Sequence, residues 1–454
     1  MVNVALPAIE RDFHIGLAGE QWIVLAYSLA LAALYLPGGA LGDRYGRRTV
    51  FVAGTVGFAL ASALCGAAPD QAVLIAGRIL QGIAGGLLTP TSLGLLRATY
   101  GRDSGRAIGH WSAWTGIATV AGPPAGGALV EWVSWRWIFF INLPLAVAAA
   151  LLALAAGTDE GEERMTERLD LGGSALAALS FGALTFALVE AGRGGFAQAR
   201  VLGPLAAGFA LLGAFVGYER RVAEPLLPVD LLRGRNFVFG NFETLAVYGA
   251  LYASSFLGVL YLQAIGFSPF TTGMLSVPAS IVLLAGAACG GRLADRRGPR
   301  LPLTVGPVVL AGGILLYFLV RPGAGWGWAL PATIVFGAGL CFIVAPITNV
   351  VLQAAPARHS GLAAGVSVTV ARVGGLFAIA IAIAGLVAAQ VFHGHAGAKH
   401  AVPLARNEPP RLQQASKDAF RVGLLFAAGL ALAGTAIGFI GLSDAEARGP
   451  SPPS

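Results

Sequence analysis

The sequence predicts an all-α integral membrane protein made of two pseudo-symmetric halves, and three observations predict it. Of 454 residues, 56% are hydrophobic and only 12% charged, too few polar side chains to cover a water-soluble fold. Apolar runs of about twenty residues recur from end to end, each long enough at about 1.5 Å per residue to cross a hydrocarbon layer of roughly 30 Å. A Gly/Asp/Arg signature occurs twice, once in each half.

Taken in order, breaks at Gly, Pro and charged residues delimit thirteen spans: 20–41, 50–68, 72–97, 106–128, 137–156, 170–190, 201–218, 237–263, 270–290, 302–320, 328–352, 361–392 and 418–442. Residues 1–9 are apolar but about half as long as a crossing helix requires, and read as the second half of a fourteenth. The first span is thus expected to be truncated, with the gene product starting upstream, because a charged amino terminus in mid-bilayer is costly. The spans group as an N-terminal six-helix bundle over 1–156, two linker helices over 157–220 and a C-terminal six-helix bundle over 221–442. A disordered cytoplasmic tail, 443–454, ends in Gly449-Pro-Ser-Pro-Pro-Ser454.

Lys and Arg collect in cytoplasmic loops. The loops carrying Arg44, Arg47 and Arg48, then Arg102 and Arg106, then Arg220 and Arg221, then Arg296, Arg297 and Arg300 fall on one side by alternation; loops 12–20, 67–71 and 264–269 fall on the other and hold almost none. Both termini are therefore expected in the cytoplasm of a cell (inner) membrane protein. Trp326 and Trp328 suit an outer aromatic belt. The net charge of +7 comes from these loops, which argues against nucleic acid as a partner. Cys65, Cys289 and Cys341 lie inside apolar runs and are odd in number, so they read as packing residues.

The internal repeat reads Gly39-Ala-Leu-Gly-Asp43-Arg44-Tyr-Gly46-Arg47-Arg48 in the first half and Gly291-Arg-Leu-Ala-Asp295-Arg296-Arg-Gly298-Pro-Arg300 in the second. Each copy follows an apolar span and opens a basic loop. Repeats of this kind mark transporters that expose a site to each side of the membrane in turn. An Asp at the cytoplasmic end of one helix can hold the start of another through its dipole and an Arg pair, so Asp43 and Asp295 read as gating elements rather than substrate ligands.

With these residues in view, the chain resembles the major facilitator superfamily over nearly its whole length, and specifically its fourteen-span drug/proton antiporter branch, the EmrB/QacA group. The segment from Gly39 to Arg48 matches the signature between spans two and three. Arg78-Ile-Leu-Gln81-Gly82-Ile-Ala-Gly85-Gly86 resembles the fourth-span motif. Gly116 with Gly122-Pro123-Pro124-Ala-Gly126-Gly127 resembles the fifth-span motif of antiporters, and Ser134-Trp135-Arg136-Trp137-Ile-Phe-Phe-Ile-Asn142-Leu-Pro144 is similar to a stretch of the fourteen-span branch. The resemblance implies a major facilitator fold and secondary active export of small lipophilic or cationic organic compounds in exchange for protons, by alternating access. The alternatives are a proton-coupled metabolite symporter, or a membrane protein without transport activity. The first-span acid that the family often uses for coupling would lie ahead of Val2-Asn3-Val4-Ala5-Leu6-Pro7, outside this sequence.

Three charges inside spans stand out as proton-coupling candidates, since each costs about 3 kcal/mol in lipid unless compensated. Arg78 shares a helix face with Gln81, Gly82, Gly85, Gly86 and Thr89; it reads either as a permanent cation facing a carboxylate or as an Arg snorkelling to the outer interface. Glu243 suits a proton carrier if its span begins where the apolar run does, and a headgroup contact if the span begins later. Arg372, beside Gly374 and Gly375, is the third, with a structural pairing to a backbone carbonyl or acid as the other reading. Gly122, Pro123 and Pro124 remove backbone donors in mid-span and predict a bent or unwound helix, while Gly126 and Gly127 permit a close neighbour.

For the substrate, Tyr27, Gln81, Tyr248, Tyr252, Phe256 and Asn349 are the polar and aromatic candidates on spans around a central cavity. His393, His395 and His400 lack the acids or Cys spacing of a metal site, and no metal or cofactor is expected. Walker, dinucleotide and His-Glu-x-x-His patterns are missing, so neither ATP-driven transport nor metalloprotease chemistry has its residues, and no clustered acids, His or Ser suggest an enzyme. The expected partners are a small molecule, protons and the bilayer, with a periplasmic adaptor as a further candidate, and the functional unit is expected to be a monomer.

Overall fold

The computed structural model describes residues 1–100, 104–155, 171–194, 198–222, 234–320, 325–354, 360–392 and 410–444. Among them every regular element is helical. The chain divides into two compact units, Met1–Leu184 with Gly203–Leu226, and Thr185–Leu202 with Leu227–Ser454.

The first unit starts with α1 (Val2–Phe13), α2 (Leu17–Tyr45), α3 (Arg47–Gly66), α4 (Gln71–Tyr100) and α5 (Ser104–Trp132). A short α6 (Trp137–Phe140) leads into α7 (Asn142–Ala155). Two helices, α8 (Leu171–Gly194) and α9 (Ala199–Glu219), straddle the division between units. Asp70 starts α4 by accepting from the Val73 amide at 2.9 Å, a side-chain cap for a donor that the first turn leaves open.

The second unit contains α10 (Arg235–Ala264), α11 (Pro269–Met274), α12 (Val277–Arg297), α13 (Arg300–Leu316), α14 (Leu330–Gln353), α15 (Ser360–Phe392) and α16 (Pro410–Gly441). Ser268 caps α11 through the Thr271 amide at 3.2 Å, with Pro269 in the first turn where its missing N–H costs nothing.

Surface character is inverted relative to a water-soluble protein. Among the described residues, nine helical stretches are long and apolar enough to cross a membrane. Leu60, Trp114, Leu145, Leu152, Phe209 and Ile440 are all exposed, large apolar side chains that lipid accommodates. The chain is therefore a multi-pass membrane protein. Trp326 and Trp328 are likewise exposed.

The two signature copies share a backbone. Gly46 (φ 94°) separates α2 from α3, and Gly298 (φ 91°) separates α12 from α13; both angles lie where a Cβ is strained. One residue ahead of each copy, a glycine sets the closest helix approach. A Cβ on Gly38 would run into the Gly86 carbonyl of α4, and one on Gly290 into the Cys341 carbonyl of α14. Small residues here let backbones meet, which is how helices associate when lipid removes the hydrophobic drive.

Pro123 and Pro124 do not interrupt their helix: α5 continues through both. Gly126 does face a close neighbour, since a Cβ there would lie 2.8 Å from Met1 Cα, whereas nothing comes within 4 Å of a Cβ on Gly122.

Candidate functional site

In the first unit the polar centre is built around Arg78. It is only 7% exposed, so it does not snorkel. Its Nε donates to the Ile23 carbonyl at 2.9 Å, its Nη1 donates to Gln81 Oε1 at 2.7 Å, and its guanidinium carbon stands 4.3 Å from the centre of the Tyr27 ring. Gln81 Nε2 donates to Ser62 Oγ at 2.7 Å, and Asn142 Nδ2 reaches the same hydroxyl at 3.5 Å. The network ties α2, α3, α4 and α7. Its compensation differs from the expected carboxylate: among the described residues, a carbonyl, an amide oxygen and a π-face hold the charge. A cation over an aromatic face contributes about 2 kcal/mol when desolvated, so three such partners can offset burial without an acid.

Tyr27 reaches Arg78 because α4 is bare where α2 crosses it. Substituents on Gly82, Gly85 or Gly86 would meet Tyr27, Leu31 and Leu34, which makes the small-residue face of α4 the seat of α2. Thr89, on the same stripe, donates to the Gly85 carbonyl at 3.0 Å.

In the second unit Glu243 is fully buried, at 0% exposure, so the headgroup reading does not hold. Neither carboxylate oxygen has a hydrogen-bond partner. The packing is regular. Antiparallel to α10, three glycines of α16 each receive one α10 side chain: Gly434 faces Val247, Gly438 faces Glu243 and Gly441 faces Phe239. A Cβ on Gly438 would lie 3.0 and 3.2 Å from the two Glu243 oxygens and 2.8 Å from the Leu303 carbonyl of α13. The carboxyl group is thus enclosed by α10, α13 and α16.

Arg372 is half-buried, and its Nη1 donates to the Tyr252 hydroxyl at 2.7 Å, with Tyr248 within electrostatic range. Its partner is neither an acid nor a backbone carbonyl but a phenol that sequence reasoning had placed in the substrate group. Tyr252 lies across Gly375, and Gly374 faces the Leu245 carbonyl, so the paired glycines let α15 close on α10. Phe256, a further substrate candidate, is fully buried. Asn349 is exposed.

The signature residues divide. Arg48 Nε donates to the Ala153 carbonyl at 2.7 Å, and its Nη2 to the Leu154 carbonyl, at the end of α7. At the second copy, the start of α13 is held by Asp444, which accepts from the Arg300 amide at 3.1 Å, and Asp295 is exposed. The start of α13 is thus held by a carboxylate from just beyond α16. Arg296 is exposed, Gly291 faces Ala345 of α14, and Arg44 stacks on Tyr45 with 5.6 Å to its ring centre. Gly39 faces Pro90, and Gly127 is buried. The side chains of Asp43 and Arg106, with residues Arg102, His393, His395, His400 and 445–454, lie outside the described residues.

A further polar centre, which spacing did not single out, lies in the turns of the first unit. Arg136 Nη1 meets Asp12 Oδ2 at 2.6 Å, the Trp135 indole donates to the same oxygen at 3.0 Å, and Arg136 Nη2 reaches the Ala68 carbonyl at 3.2 Å. Hydrogen bonds from Arg136, with a contribution from Trp135, hold the Asp12 carboxyl below the usual carboxylate range. Its members come from three separate segments, so no sequence interval could reveal it.

The comparisons agree with this architecture. The family model of the Major Facilitator Superfamily matches residues 1–379. The chain is 35% identical over 436 residues, 94% of its length and 80% of the relative's, to a tetracenomycin C resistance and export protein of Streptomyces glaucescens. It is 33% identical over 374 residues, 81% of its length and 68% of the relative's, to the multidrug resistance protein Stp of Mycobacterium tuberculosis. Among solved structures it matches a bacterial homologue of the human lysosomal transporter Spinster with a TM-score of 0.68 and 14% identity, covering 98% of this chain and 92% of that one. The helical fold, the buried in-span charges and these matches together place the chain in the Major Facilitator Superfamily of membrane transporters.

Proposed function

We propose that this protein exports small organic compounds across the cell membrane in exchange for protons, by alternating access between an N-terminal and a C-terminal six-helix bundle joined by two linker spans. Fourteen spans with both termini in the cytoplasm, and function as a monomer, complete the reading. Export is supported by relatives named for resistance to tetracenomycin C, to puromycin and to methylenomycin A. The same kinship with transporters supports reading the protein as a carrier rather than an enzyme.

The single observation that carries proton exchange is Glu243. A carboxyl group enclosed by three helices, with no counter-charge and no hydrogen-bond donor on either oxygen, is tolerable neutral and expensive ionised. Its proton must therefore leave together with a movement that lets water or a cation in, which is the coupling an exchanger needs. Arg78 acts as the fixed cation of the first unit and Arg372, with Tyr252 and Tyr248, as a polar aromatic contact for the cargo.

The test is uptake of a panel of lipophilic dyes into inverted membrane vesicles under an imposed pH gradient, with wild type, Glu243→Gln and Arg78→Ala side by side. Wild type accumulates dye in response to the gradient. Glu243→Gln inserts normally and loses that response. If Glu243→Gln and Arg78→Ala were both inserted and still driven by the gradient, the assignment of these residues would fail.

A further inference from the structure

The hairpin that joins α1 to α2 brings two more carboxylates together. His14 adopts the left-handed conformation (φ 51°) and closes α1 by donating its amide to the Glu10 carbonyl. The Ile15 amide also donates to Glu10, at 3.3 Å, and α2 starts with the Glu20 amide donating to the Gly16 carbonyl at 3.3 Å. Glu10 and Glu20 therefore stand on either side of the turn. Glu20 is 1% exposed and both its oxygens lack a hydrogen-bond partner; Glu10 is 8% exposed and its Oε1 lacks one. Among the described residues, Glu10 is the charged group that acts on Glu20.

The surrounding groups do not supply a counter-charge to Glu20. Arg11, next to Glu10, turns its Nε back to the Pro7 carbonyl at 3.0 Å. Asp12 and Arg136 are committed to each other, and Asp70 caps the Val73 amide of α4. His14 lies in the turn itself, and Arg78 of α4 is held by Ile23, Gln81 and Tyr27. From α4, the neutral amide of Gln71 packs against the adjoining Gly19, its Nε2 2.7 Å from where a Cβ would stand. The start of α2 favours an anion by only about 0.3–1 kcal/mol, whereas stripping water from an ionised carboxylate costs several. Two such groups side by side cannot both be ionised.

We infer that Glu10 and Glu20 form a second proton-binding site, at the α1–α2 turn, in which at least one of the two buried carboxylates carries a proton. The site stands without the exchange reading; only its consequence, that more than one proton moves per cycle, rests on that reading.

The experiment is an infrared pH titration of the full chain in lipid nanodiscs, following the carbonyl band of protonated carboxyl groups. Wild type shows such a band at neutral pH. Glu20→Gln removes a component of it, and Glu10→Gln, which strips the neighbouring charge without touching Glu20, moves the pH at which that component is lost. Glu243→Gln removes a different component and leaves this one in place. If Glu20→Gln is too unstable to measure, the Glu10→Gln titration decides alone: an unmoved midpoint overturns the pairing. A band unchanged in both variants overturns the site, and so does loss of the component when choline chloride is exchanged for sodium chloride, since the pair would then hold a metal cation. A wild type with the band but no gradient-driven dye uptake would leave this site standing while sinking the exchange.

Discussion

Arg48 and Arg300 occupy the same position in the two copies of the repeat, and each holds a later helix of its own unit. Arg48 donates to the carbonyls of Ala153 and Leu154 at the end of α7, while Arg300 gives its amide to Asp444 just past α16 and stacks on Phe439, with 4.5 Å to the ring centre. The same register thus does the same mechanical work with different chemistry. A side-chain fork on free carbonyls in one half becomes a carboxylate on a helix start in the other.

Arg48→Ala is expected to lower stability by about 1.5–3 kcal/mol, the usual loss for charge-assisted hydrogen bonds. Arg48→Lys should recover only part of this, because an ammonium cannot reproduce a two-donor fork. Thermal unfolding of the detergent-purified protein, reported by tryptophan fluorescence, checks both; equal midpoints for Arg48→Ala and wild type would refute the anchor.

Gly298→Ala should be more damaging than Gly46→Ala. Both substitutions place a Cβ at positive φ, at about 1–2 kcal/mol each, but at 298 the new methyl also strikes the Asp444 carboxylate that holds α13. Comparing the thermal midpoints of the two variants separates the shared backbone strain from the local clash.

Gly438→Ala tests the enclosure of Glu243. The added methyl would press on both carboxylate oxygens and the Leu303 carbonyl, an overpacking cost of about 1–3 kcal/mol. Combined with Glu243→Ala, which vacates the carboxylate's space, the part of the penalty due to the carboxylate should disappear while the contact with the Leu303 carbonyl remains. Additive effects in the double mutant, read from thermal midpoints, would show that the two residues do not meet.

Tyr252→Phe and Arg372→Lys should each cut transport of a given dye, and the double variant should be no worse than the more affected single one, because both break one hydrogen bond. Vesicle uptake rates for the four proteins complete the cycle, and independent, multiplying losses would mean that the two side chains act separately.

The Asp12–Arg136 clamp carries a pH sign. The folded carboxyl titrates below its ordinary value, so the clamp's contribution is complete above the unfolded carboxylate value, about 3.9, and is lost as pH falls through the folded one. Unfolding midpoints should drop on acidification below about pH 4 in wild type, by a larger margin than in Asp12→Asn. An equal drop in both would remove Asp12 from the account.

The sequence by itself determined the solvent and the plan. Residue-by-residue hydropathy, twenty-residue runs and the repeated Gly/Asp/Arg signature are local properties, so the helices lie where the apolar runs lie and Gly46 and Gly298 break them in matching places. It also marked Arg78, Glu243 and Arg372, since a charge in an apolar run is visible without a partner. What only the tertiary structure decided is who answers each charge: a carbonyl, an amide and a ring for Arg78, a phenol for Arg372, nothing for Glu243. It also decided that Asp444 holds the start of α13 and that Phe256 is fully buried. Partners come from helices far apart in the chain, and their meeting depends on which small residues let two backbones close, as Gly438 does for Glu243 and Gly375 for Tyr252. Spacing along one helix carries no record of the helix opposite.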